Sequence, residues 1–122
     1  KLETILHVDK NMGTEALHAF MVQRATEPNP FELLGAMFII EGLGQKKAGS
    51  WGKLIQQQLC LEDNQVSFLM YHSANDEQHI AQFEEILNSG ILDIAGLDKK
   101  IVKTAKIVAR LYRLQLEELG NT

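Results

Sequence analysis

Both prolines of this 122-residue chain, Pro28 and Pro30, fall within one tetrapeptide, 27–30. Proline lacks an amide hydrogen and pushes the residue before it out of helical angles, so a helix must stop there. Elsewhere apolar residues recur at helical spacing and no strand-type alternation survives. Upstream, residues 2–26 read as a helix carrying Ile5, Val8, Met12, Leu17, Phe20 and Met21, with an interruption at Gly13. A short apolar helix covers 31–42 and is ended or bent by Gly42 and Gly44; a third covers 48–61. Asp63 or Asn64 is placed to cap a long fourth helix that runs to residue 88, and Gly90 to close it in a left-handed turn. After a 91–97 connection, Asp98 is placed to cap a last helix ending near residue 119. The expectation is an all-α fold of about five helices in one domain, residues 1–122.

Composition excludes several function classes. With 45% apolar and 23% charged residues the chain is of ordinary globular type, neither fibrous nor disordered. Its formal charge is −4, and the nearest approach to a basic cluster, Lys99, Lys100, Lys103 and Lys106, reads as a solvated helix face. No electrostatic case for nucleic acid follows. The longest uninterrupted apolar run, 36–40, is far too short to span a bilayer, and no signal-peptide pattern opens the chain. The lone Cys60 forbids an internal disulfide and suits a reducing, cytoplasmic compartment. Lys1 stands where an initiator Met would, so further N-terminal sequence is expected.

The fourth helix carries an anomaly on its apolar seam. Leu69, His72, Asp76, His79, Phe83 and Ile86 succeed one another at steps of 3, 4, 3, 4 and 3, hence on one face. The ends of that face want a core, while its middle offers two imidazoles and a carboxylate, which are costly to bury unpaired. Asp76 and His79 together reach one ion; His72, one turn away, serves a second ion or the far side of a shared one. Glu41 shares a face with Leu34, Met37 and Phe38 and adds a second inward carboxylate. Two His and two carboxylates suit iron, manganese or zinc and leave positions open for dioxygen or substrate. Taken singly, each residue is explained as well by a hydrogen-bonded core histidine or an i,i+4 pair. A competing ligand set is Glu15-Ala-Leu-His18, a second acid-x-x-His of the kind that projects into di-iron bundles. His7 has no such companion.

Two segments carry a family resemblance. Phe31-Glu-Leu-Leu-Gly-Ala-Met-Phe-Ile-Ile-Glu41-Gly resembles the LLGxxxxxEG helix of the heme-oxygenase-like superfamily. Phe68-Leu-x-x-His72-x-x-x-Asp76-x-x-His79 resembles the metal-binding helix of its di-iron oxidase and oxygenase branch, with Glu41 31 residues ahead of His72. The similarity covers residues 31–87. It implies a heme-oxygenase-like helical bundle in which Glu41, His72, Asp76 and His79 are metal ligands. It further implies one or two iron ions, with manganese as the alternative, and dioxygen activated toward a small organic substrate. Met37, Phe38, Leu69 and Phe83 would wall the substrate pocket, although each is explained equally well as core. The family takes a further Glu and His from a helix upstream, beyond the start of this chain, and neither Glu15 nor His18 has the required separation. The resemblance therefore covers the C-terminal half of that fold, and the face its N-terminal helices would cover is expected to form a homodimer or to pair with a fragment. Other branches bind heme, for which only His7 or His18 is on offer, or hydrolyse thiamine-like substrates through a cysteine. For the latter Cys60 is the sole candidate, and a buried, inert thiol is the plainer expectation. Fold similarity alone does not fix the activity, and a metal-free helical module is the rival from another class. Trp51 with Lys46 and Lys47 lines an entrance or anchors a loop.

Overall fold

A computed structural model describes residues 7–120, apart from the side chains of Asp76 and Glu77. All regular elements among the described residues are helical, as expected. The five α-helices are α1 (Met12–Ala25), α2 (Leu34–Leu43), α3 (Gly49–Leu59), α4 (Ser67–Asn88) and α5 (Leu97–Glu117). No helix among them is long and apolar enough to cross a membrane.

The centre of the fold is α5, whose buried stripe Leu97, Ile101, Thr104 and Val108 follows helical spacing. Lys99, Lys100, Lys103 and Lys106 occupy its exposed side, as their pattern predicts. Helices α1 and α2 both cross α5 backbone to backbone, and in each case a glycine sits at the crossing. A Cβ on Gly13 would stand 2.5 Å from the Gln115 Cα; one on Gly35 would overlap the Ile101 carbonyl and stand 2.8 Å from the Ala105 nitrogen. Gly13 therefore lies inside α1 rather than interrupting it. Leu34, Leu97 and Ile101 form the buried cluster, with Phe83, Leu87 and Ile91 packed on it, which ties α2, α4 and α5 together.

Several boundaries differ from the sequence-based expectation. Of the helix expected over residues 2–26, positions 2–6 lie outside the described residues; within them α1 starts at Met12, because Asn11 caps it: its Oδ1 accepts from the Thr14 N–H at 2.8 Å. The same side chain donates through Nδ2 to the carbonyls of Gln115 at 3.1 Å and Glu118 at 3.2 Å. One buried amide thus satisfies a helix start and a helix end together. Asn11→Ala is expected to cost about 2–3 kcal/mol, a cap plus two buried hydrogen bonds. Asn11→Asp, normally an equal cap, should fare no better, since its second oxygen would face two carbonyls with nothing to donate. Urea denaturation of the two variants checks both statements.

Gly42 and Gly44 do not break the chain. The π-turn Gly44–Ala48 carries it from α2 into α3 with right-handed helical angles on both sides. Helix α3 ends at Leu59, with Cys60 in a left-handed conformation at φ 51°. Asp63 accepts from Gln56 Nε2 at 2.7 Å instead of capping α4; Glu62 and Gln65 form a capping box around the short turn that leads in. Gly90 is left-handed, φ 92°, as expected. Gly96, not Asp98, caps α5, while Asp98 lies in its first turn, where the helix dipole favours an acid. Before α2, Glu32 accepts from Arg24 Nη1 at 3.2 Å and from the Thr104 hydroxyl at 2.8 Å, joining α1 and α5 to the loop.

Candidate metal centre

Helices α2 and α4 run antiparallel. Leu34 packs near Phe83 and Leu87 at one end, and Glu41 meets His79 two turns further along. Between these points the rings of Phe38 and Phe83 lie 5.2 Å apart and tilted by 35°, which fixes the register. His79 Nδ1 donates to Glu41 Oε2 at 3.0 Å. The side chains are 44% and 23% exposed, so the pair sits at a mouth and not in a closed core.

That mouth opens on a cavity of about 260 Å³ walled by Leu34, Met37, Phe38, Ile80, Phe83 and Ile86, with Gln82 at its edge. Three of the four residues expected to form substrate walls, Met37, Phe38 and Phe83, therefore do flank Glu41 and His79. Leu69 does not: it lines a separate small cavity with His72, Trp51 and Tyr112. There His72 stacks near Phe68, ring centroids 4.5 Å apart, and meets the edge of Tyr71 at 5.8 Å. Seven residues of helix separate His72 from His79 by about 10 Å of rise, enough to put them on different cavities. Of the four expected ligands the fold joins two, Glu41 and His79, and places His72 apart. Asp76 belongs to α4 between the histidines, but its side chain lies outside the described residues. Among the described residues no three His, Cys, Asp or Glu side chains gather into one group.

The joined pair can be tested for fit to a metal. Two atoms bound at about 2.1 Å on adjacent positions of an octahedral ion stand about 3.0 Å apart. The observed Nδ1–Oε2 separation matches that edge, one donor is a carboxylate and the other an imidazole, and both are reachable from outside. That separation is equally the length of the hydrogen bond itself, so the pair would offer an ion two donors only once the Nδ1 proton is lost; its donor types, an imidazole and a carboxylate, suit iron or manganese.

The remaining candidates fall elsewhere. Glu15 and His18 are both exposed on α1, with His18 Nδ1 3.5 Å from Lys10 Nζ, and neither lines the cavity beside Glu41 and His79. His7 is exposed too. Cys60 is exposed, contrary to the buried thiol expected, because the left-handed end of α3 turns it outward. It lines neither cavity described above. Since φ 51° favours glycine, Cys60→Gly is expected to leave stability unchanged or raise it by up to about 1 kcal/mol, read by thermal unfolding. Trp51, Lys46 and Lys47 do line an opening, a neighbouring cavity of about 650 Å³ that shares Phe38 and Ile80 with the first. Ile80 and Gln82 escaped the sequence analysis. Ile80 lies one residue beyond the His79 seam and carries a helical signal; Gln82 carries none.

No family model, curated protein or solved structure matches this chain.

Proposed function

We propose that the chain is a heme-oxygenase-like helical domain that binds non-heme iron and activates dioxygen toward a small organic substrate, in the cytoplasm and as a homodimer. The observation that carries this is the Glu41–His79 contact, contributed by two helices at the mouth of an apolar cavity. A bound iron ion, or manganese in its place, would supply the redox chemistry and the open positions for dioxygen. Glu41 and His79 would hold it. Asp76, one turn from His79, is the proposed third ligand. His72 is assigned to a second ion, if there is one. Phe38 and Phe83, which line the cavity together, would keep water from one side of a bound ion and offer an apolar surface to a substrate, with Met37 beside them.

The test is metal analysis of protein purified from iron-supplemented growth, alongside His79→Ala protein. Iron retained by the parent chain and lost by the variant supports the proposal. A variant that loses stability while neither protein holds iron reduces the pair to a hydrogen bond, and leaves a metal-free helical module as the function class. Hydrolysis through Cys60 has the least support, since that thiol lies on an exposed corner away from both cavities.

A further inference from the structure

We infer that the cavity of about 650 Å³ between α2 and α5 is a binding site for an amphipathic anion, an apolar body carrying one carboxylate. Its size falls within the roughly 300–1,000 Å³ usual for small-molecule sites. Four helices and the π-turn build it: Phe38 and Leu43 come from α2, Trp51 from α3, Ile80 from α4 and Leu116 from α5. Glu41, His72 and His79 do not line it, so the site stands apart from the proposed metal centre.

Charge selects the ligand. The chain has 16 acidic and 12 basic residues, yet Lys46, Lys47 and Arg113 line this cavity and no described Asp or Glu does. Arg113 is partly engaged, its Nε donating to Glu117 Oε1 at 2.6 Å. Lys46 and Lys47 are exposed and form no ion pair among the described residues. A ligand with its carboxylate at these ammonium groups keeps that charge near water while its apolar body leaves water for the half-buried walls. The π-turn shapes this end of the cavity. Successive residues of an α-helix diverge by about 100°, so three in a row seldom face one space. The wider i→i+5 turn brings them closer in angle, and Gln45, Lys46 and Lys47 all line this cavity. Such turns are rare and concentrate at functional sites.

Titration of the purified chain with 1-pyrenebutyrate, chelator present, tests this against 1-pyrenebutanol, which has the same apolar body and no charge. Energy transfer from Trp51, the single tryptophan, reports binding. The acid is expected to bind about tenfold or more tightly than the alcohol at low salt, and to lose that preference as salt rises. Lys46→Met with Lys47→Met in one chain keeps the apolar stems. It should weaken the acid by about tenfold or more and leave the alcohol within about twofold. Ala109→Phe, at an exposed position of the wall, should weaken both ligands by about tenfold or more, with helicity unchanged by circular dichroism. No binding of the acid at about 100 μM overturns the inference. So does equal affinity for acid and alcohol, a preference that survives loss of both lysines, or undiminished binding by Ala109→Phe. Because metal is excluded, none of these outcomes bears on iron binding.

Discussion

Gly35→Ala is expected to lower the unfolding free energy by about 3 kcal/mol, the upper end of what overpacking costs. The sign is the informative part. In an open helix the same exchange stabilises by roughly 0.5–1 kcal/mol, since alanine is the better helix former. At Gly35 the added carbon would collide with the Ile101 carbonyl and crowd the Ala105 amide, both backbone atoms that no rotamer change can move. Helix α2 would have to lift away from α5, loosening the Leu34–Leu97–Ile101 cluster. Since small domains hold only about 5–15 kcal/mol in total, the loss should lower the melting temperature by about 10 °C. Gly42→Ala provides the control in the same helix: its Cβ would meet only the Ile80 Cδ1, at 3.9 Å. That variant should be stabilised by about 0.5–1 kcal/mol. If Gly35→Ala behaved like Gly42→Ala, α2 and α5 would not cross where the structure puts them.

Adding Mn(II), an air-stable substitute for ferrous ion, is expected to raise the unfolding free energy of the parent chain by about 2.7 kcal/mol at one hundred times its dissociation constant. For a domain of this size that is a shift of close to 10 °C. Glu41→Gln and His79→Ala should each abolish most of the shift, because each removes one of the two donors that the fold joins at the proposed site. His72→Ala should leave most of it in place, since His72 stacks on Phe68 beside a different cavity. Loss of the shift in all three variants would instead require a single site spanning both cavities. Thermal unfolding monitored by circular dichroism, with and without metal, distinguishes these outcomes.

The sequence made the helix content legible because the apolar period is strong and both prolines fall in one break. It concealed how the helices end. Asn11 looked like an ordinary residue inside a helix pattern that Ile5 and Val8 extend backward, and only the fold reveals that its amide also serves the C-terminus of α5, 104 residues away. Gly42 and Gly44 read as breakers by propensity, but packing of the π-turn against α4 keeps the chain helical there. The partnership of Glu41 with His79 was legible because both sit on apolar faces of neighbouring helices. The separation of His72 was not: periodicity reports the angle around a helix, and His72 and His79 differ in height along it. Thr104 in the buried stripe of α5 gave a faint signal, a polar residue among apolar ones, but nothing local pointed to Glu32 as its partner.

Anaerobic equilibrium dialysis of the purified chain against Fe(II), beside the Glu41→Gln/His79→Ala double variant, tests the proposed metal centre most directly. The expected result is about one iron bound per chain, or two if a second ion occupies His72, with affinity weakened at least tenfold in the double variant. Equal iron content in the two proteins would contradict it, and would leave the Glu41–His79 contact as a hydrogen bond between two helices.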